Sequence, residues 1–192
     1  MFRKSRILIG LMGVWSLSLL LFSGYTRAQK MTFSAPETWM GHSGAGTALA
    51  FSPDGQAFVS GGADHLITMW DSNQHLDRGV FRGHQGPVWA LAWSPDGKTL
   101  VSGSEDQTIR IWTPEDRQET GRLNLSAPVF SVDISSDRLW LTGSNGDKAV
   151  HTWSFGQLKR ANPVPERTDL LGQARFIPGD NMLAVPTASR SI

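Results

Sequence analysis

Two stretches of this chain repeat one another in register, and a repeat of this length constrains the fold more than any other feature. Gly41-His42, Ser52-Pro53-Asp54-Gly55, Ser60-Gly61-Gly62, Asp64 and Trp70-Asp71 form the first stretch. They recur as Gly83-His84, Ser94-Pro95-Asp96-Gly97, Ser102-Gly103-Ser104, Asp106 and Trp112-Thr113, each landmark moved by 42 positions (41 to 83, 52 to 94, 70 to 112). A weaker copy ends at Trp153, 41 positions after Trp112, and a fourth begins at Gln173. A period near forty residues marks a unit that cannot bury its apolar faces alone and must stack on its neighbours.

Within each period the residues read as short strands joined by turns. In the second copy, 88–93 (VWALAW) is a short apolar strand. The next four residues are a turn: Pro95 sets φ, Asp96 bonds back to the backbone, and Gly97 takes the left-handed position. Residues 99–102 form a second strand. Residues 108–112 (TIRIW) alternate with period two, which puts Ile109 and Ile111 on one face and Arg110 on the other. Residues 119–125 supply an outer strand. The first copy follows the same plan over 47–51, 56–60, 66–70 and 79–82. The third runs over 129–134, 139–142 and 149–153, and then reaches a segment broken by Pro163 and Pro165, tolerable only in an edge strand. In the fourth, 174–177 and 182–185 flank a turn, and its Trp and outer strand are absent.

Composition matters at the two ends of the argument. The chain has no cysteine, which removes disulfides, thiolate metal sites and cysteine nucleophiles. Arg3, Lys4 and Arg6 precede an uncharged 16-residue run over 7–22, and Thr26-Arg27-Ala28 resembles a cleavage site. Residues 1–28 therefore read as a secretory signal peptide cleaved near Ala28, with an uncleaved membrane anchor as the alternative. Either way the chain is expected to be exported, to a periplasmic or extracellular location. The full sequence carries 18 Lys and Arg against 17 Asp and Glu. Loss of Arg3, Lys4, Arg6 and Arg27 leaves 14 basic residues and a net charge of −3. No basic stripe remains for nucleic acid, and membrane contact is expected only through the N-terminal segment if it stays attached.

The repeated Gly-His, Ser, Asp and Trp-Asp landmarks resemble those of the WD-repeat family of β-propellers. The resemblance implies an all-β fold of blades, each of four antiparallel strands, over 41–82, 83–124, 125–167 and a partial 168–192. Residues 29–40 are a linker or closing strand, in which 31–33 is the β-like part. About three and a half blades make an incomplete ring. The alternatives are a strained four-bladed ring, an open arc, self-association to complete the propeller, or a truncated fragment, which is the expectation preferred here.

The family also implies a hydrogen-bonded set in each blade: His42, Ser60, Asp64 and Trp70 in the first, and His84, Ser102, Asp106 and Trp112 in the second. In the third, Thr142, Asp147 and Trp153 align, but Leu125 takes the histidine's place, so a looser loop is expected there. The chemistry suits a structural role. An indole N–H only donates, a hydroxyl does both, a neutral imidazole does both, and a carboxylate accepts. Ser, His and Asp also suggest a hydrolase triad. A triad occurs once per site, whereas this set recurs with the repeat, and no G-x-S-x-G elbow is present. The Gly-rich 41–46 lacks the spacing and lysine of a phosphate loop. His65, His75 and His151 lack metal-ligand spacing, and the Pro-Asp-Gly turns lack the alternating oxygens of a calcium loop. Asn124-Leu125-Ser126 is read as a chance sequon. No catalytic residue, metal or cofactor is expected.

Partner binding is expected instead, on the face that the resemblance assigns to docking. Thr47, Ala63, Trp89, Glu105 and Phe130 occupy the matching positions. Trp89 alternates away from Val88 and Leu91, which suits an interface hot spot. Its alternative is packing between blades together with Trp93. The resulting expectation is a non-catalytic scaffold that docks protein partners, with an extracytoplasmic ligand binder or enzyme as a second reading.

Overall fold

The structure is a computed structural model that describes residues 41–74, 76–146, 150–160, 174–177 and 182–184. The signal-like 1–28, the linker 29–40, His75, Asp147, Pro163 and Pro165 lie outside the described residues. Among the described residues no helix is long and apolar enough to cross a membrane.

Each copy of the repeat folds as one antiparallel sheet. Blade 1 contains β1 (Gly46–Phe51), β2 (Ala57–Gly62), β3 (Ile67–Asp71) and β4 (Asp77–Phe81), hydrogen-bonded in that order. Blade 2 contains β5 (Val88–Trp93), β6 (Leu100–Ser104), β7 (Thr108–Thr113) and β8 (Gln118–Asn124). Blade 3 contains β9 (Val129–Ile134), β10 (Trp140–Asn145), β11 (Val150–Ser154) and β12 (Lys159–Arg160), so its outer strand closes before the prolines. β13 (Arg175–Phe176) and β14 (Leu183–Ala184) pair as the start of a fourth sheet. Among the described residues the fold is thus all-β, built from three sheets of four antiparallel strands and a two-stranded start of a fourth, which do not close into a ring.

The same turn is built three times. Ser52, Ser94 and Ser135 each donate a hydroxyl proton at 2.6 Å to an aspartate two residues on, Asp54, Asp96 and Asp137. Each aspartate then accepts from the backbone two residues further, at Gln56, Lys98 and Leu139. The short polar side chain thus fixes the hairpin that joins the first two strands of each blade.

Two hydrophobic cores lie between the sheets. Val59, Ile67 and Phe81 of blade 1 meet Val88, Leu91, Leu100 and Trp112 of blade 2. Ala90, Val101, Ile109 and Ile111 of blade 2 meet Val129, Val132, Leu141 and Trp153 of blade 3. Glycine allows the approach: a Cβ on Gly61 would sit 2.8 Å from Val88, and one on Gly103 would sit 2.6 Å from Val129. Leu49 and Leu91 hold the same register, opposite Ser60 and Ser102. Leu91 has a blade against it and is 4% exposed, whereas Leu49 is 58% and its neighbour Phe51 63% exposed.

Candidate functional site

The hydrogen-bonded set of blade 2 is the most buried polar site among the described residues. The hairpin between β6 and β7 carries Asp106, β6 carries Ser102, β7 carries Trp112, and His84 lies in the loop before β5. The His84 ring sits 2.8 Å from Asp106 Oδ2 through Nδ1 and 2.7 Å from Ser102 Oγ through Nε2. The indole of Trp112 donates to Ser102 Oγ at 2.8 Å. One proton arrangement satisfies all four groups: Nδ1–H donates to Asp106, and the Ser102 hydroxyl donates to Nε2 while accepting from Trp112. Blade 1 repeats the pattern. His42 Nδ1 is 2.9 Å from Asp64 Oδ1, His42 Nε2 is 2.8 Å from Ser60 Oγ, and Trp70 donates to Ser60 at 2.8 Å.

Connected in this order, Asp, His and Ser have the contacts of a catalytic triad. Accessibility argues against that use. Ser102 is fully buried, and its oxygen is already an acceptor for Trp112. A nucleophile needs a substrate within reach of its oxygen, and Ser102 is 0% exposed. Among the described residues, no group of three His, Asp or Glu side chains could hold a metal ion.

In blade 2 the set extends further than the sequence reading placed it. Arg110 is buried, donates to Glu119 Oε2 at 2.7 Å, and lies 3.5 Å from Asp106 Oδ2. Glu119 in turn holds Arg122 at 2.8 Å. Thr108 donates its hydroxyl to Asp106 at 2.6 Å. A signal for this existed in TIRIW. A central strand of a stacked blade is covered on both faces, so a charged residue there requires an opposite charge beside it.

These contacts set the protonation states. Burial holds the His84 pKa below its ordinary 6.5, against the opposing pull of Asp106. Burial alone would raise Asp106, but hydrogen bonds from Thr108, the Gln85 backbone and His84 bring it down to about 2. Both shifts have the same sign for stability. In each case the unfolded chain binds protons more readily than the folded one. The contribution of His84 is fully present above pH 6.5 and is lost as the pH falls through its lower folded value. That of Asp106 is present above 3.8 and is lost as the pH falls toward 2. The urea midpoint is therefore expected to fall as the pH is lowered below 6.5, and to fall again between 3.8 and 2. A midpoint constant down to pH 4 would contradict the neutral, buried His84.

Blade 3 departs from this geometry. Strand pairing puts Gly143 opposite Val132 and His151, as Ser102 stands opposite Leu91 and Arg110. The serine's place is thus taken by Gly143, not by Thr142 as the sequence alignment had it. Thr142 lies one residue earlier, and its hydroxyl donates to the His151 carbonyl at 3.1 Å. Gly143 lies ten residues before Trp153, as Ser102 lies before Trp112, so Thr142 is one residue out of register, and a shift of one residue moves a side chain to the opposite face. Leu125 is half-buried and packs against the core between blades 2 and 3. Trp153 is buried, and its ring lies 5.8 Å from that of His151.

Bulges fix the positions assigned to docking. The register shifts leave Thr47, Trp89 and Phe130 as the extra residue of the innermost strand in each blade. A bulge re-aims its side chain away from the ladder. Trp89 is half-buried and meets Phe130 at 6.5 Å between ring centroids, while Phe130 remains 45% exposed. Trp93 donates to the Ala50 carbonyl of blade 1 at 3.3 Å and packs against the core between blades 1 and 2, so Trp93 and Trp89 each lie against a neighbouring blade, as the alternative of packing between blades has it. Glu105 is exposed beside them, with its backbone N–H on the Pro87 carbonyl at 2.9 Å. Ala63 makes the matching bond to the Ala45 carbonyl at 2.9 Å and is half-buried. Thr47 differs: its hydroxyl bonds to the carbonyls of Gly61 and of Val88, which ties blade 1 to blade 2. The loops at this end, as far as they are described, contain Asp64, Glu105 and Asp106, with Arg82 exposed at the start of the loop before β5.

Comparison with known proteins agrees with this architecture. The family described as WD domain, G-beta repeat matches residues 33–71 and 77–113. No curated protein sequence matches the chain. Among solved structures, U3-55K is similar with 23% identity and a TM-score of 0.67, over 71% of this chain and 44% of that one. The WD40 repeats of RRP9 give 23% identity and 0.67, over 71% and 43%. The β-propeller domain of Myceliophteria thermophila Cps50 (Swd1) gives 20% and 0.58, over 62% and 38%. The chain spans less than half the length of each structure.

Proposed function

The chain belongs to the WD-repeat family, and on that premise we propose that it works as a non-catalytic scaffold that docks a protein partner. The observation that carries the reading is how its chemistry-bearing residues are distributed. The Ser, His and Asp side chains of blades 1 and 2 are spent on one another and on a tryptophan, inside the blades. What the loop end leaves partly open is an aromatic pair on two neighbouring bulges, the exposed Phe130 against the half-buried Trp89, whose indole N–H is buried without a partner; Glu105 is exposed at the same end. A large aromatic anchor with a polar rim is the usual core of a protein–protein hot spot.

Trp89→Ala is expected to cost about 2 kcal/mol or more of partner affinity, enough to lose capture in a pull-down with the full chain as bait. The unfolding midpoint of the same variant checks that the blades persist. Capture that survives both Trp89→Ala and Phe130→Ala would move the docking surface elsewhere.

A further inference from the structure

We propose that blade 2 holds an acid-sensitive latch: protonation of His84 releases the loop 83–87 and so disturbs the end of the blade that displays Trp89. The consequence for docking rests on the scaffold reading, whereas the latch is observable without a partner. The loop is tied to the hairpin between β6 and β7. The His84 ring and the Gln85 N–H both meet Asp106 Oδ2, at 2.8 and 2.9 Å. The Ser104 hydroxyl donates to the Gly86 carbonyl and the Glu105 N–H to that of Pro87, each at 2.9 Å. Trp89 follows almost at once, on the bulge of β5. Opening of the loop therefore acts on the residues that set its position.

Charge balance makes this histidine sensitive. His84 faces Ser102 on β6, Asp106 in the hairpin, Thr108, Arg110 and Trp112 on β7, and Glu119 on β8. Across the blade interface Trp112 meets the apolar Phe81, and Arg82 and Glu105 are exposed. Arg110 lies 3.5 Å from the same Asp106 oxygen that holds His84, and it pairs with Glu119, which also holds Arg122. The two carboxylates are thus already balanced by two guanidinium groups. An imidazolium would be an excess charge on a side chain only 1% exposed, which is costly. It would also deprive the Ser102 hydroxyl proton of its present acceptor, Nε2. Blade 1 supplies the control. His42 sits on Asp64, and the Ser43 N–H donates to Asp64 as that of Gln85 does to Asp106. Strand pairing, however, puts Thr68, Asp77 and Val80 where blade 2 has Arg110, Glu119 and Arg122. Those positions leave two carboxylates and no cation, so an imidazolium at His42 is compensated. In blade 2 the least disruptive escape is a local opening that hydrates His84 while β6 and β7 stay paired.

The test follows amide hydrogen exchange by NMR in the full chain from pH 8 to pH 4, each rate divided by its intrinsic value at that pH. Gln85 is expected to lose protection below 6.5, by up to about tenfold per pH unit, while Ser43 and the strand amides of β6 keep theirs. The indole resonance of Trp89, identified with Trp89→Phe, is expected to shift over the same range. Arg110→Thr gives blade 2 the residue that blade 1 has and is expected to keep Gln85 closed to a lower pH. If that variant does not fold, Glu119→Gln removes an anion near His84 and must move the loss to higher pH. Constant protection of Gln85 down to pH 4 overturns the proposal, as does a loss shared by Ser43 or β6. So does a Trp89 resonance that stays in place, or a loss whose pH ignores the charge variant. None of these readouts uses a partner, so a docking surface elsewhere would leave them unchanged.

Discussion

Leu91→Ala is expected to lower the unfolding free energy by about 2–5 kcal/mol, and Leu49→Ala by less than about 0.5 kcal/mol. The two leucines stand one repeat apart, on the same strand of their blades and opposite equivalent serines. Their intrinsic strand propensity and their chemistry are identical. Only the neighbour differs. Leu91 lies in the core between blades 1 and 2, so its truncation loses both transfer energy and packing around the cavity left behind. Leu49 is already mostly in water, and its removal exposes little that was covered. Urea unfolding of the two variants under one set of conditions reads the difference directly. Equal losses would contradict the stacking order, because they would require a similar cover over both residues.

The second large effect is expected at Ser102. Its hydroxyl serves His84 and Trp112 at once, at 2.7 and 2.8 Å, in a fully buried position. Ser102→Ala leaves an imidazole nitrogen and an indole N–H unpaired, and each such group costs about 1–3 kcal/mol when no water can replace the bond. The loss is expected to resemble that of a large core truncation although only one oxygen is removed. Ser60→Ala breaks the same two bonds in blade 1, where Ser60 is half-buried, so water can compensate in part and the loss is expected to be smaller. If Ser102 were instead a nucleophile, its loss would abolish a reaction and leave the urea midpoint unchanged.

Much of the fold was legible because the repeat checks each assignment against its neighbour. The turn at Ser94-Pro95-Asp96-Gly97 is ambiguous by itself, but its twin 42 residues earlier makes the strands on either side unambiguous. The sets built on His42 and His84 could be read for the same reason. What escaped was whatever the repeat does not copy. Arg110 stands where blade 1 has Thr68 and blade 3 has His151, so its ion pair with Glu119 has no counterpart to reveal it. In blade 3 the hydroxyl of Thr142 suggests the serine's counterpart, but the ten-residue spacing to Trp153 and the strand pairing both place Gly143 there. Thr47 read as a docking residue from its position, but its short hydroxyl turns to the carbonyls of Gly61 and Val88, while Trp89 and Phe130 at the same bulge are too large to do so.

The central claim is that the Ser, His, Asp and Trp side chains form one structural unit in blade 1 and again in blade 2. A double-mutant cycle on Ser102 and Trp112, using Ser102→Ala, Trp112→Phe and the double variant in urea unfolding, tests it most directly. The account predicts that the two losses are strongly non-additive, with a coupling of about 0.5–3 kcal/mol, because the second change removes a donor that the first has already orphaned. Losses that add to within about 0.3 kcal/mol would show the two residues acting independently and would contradict it.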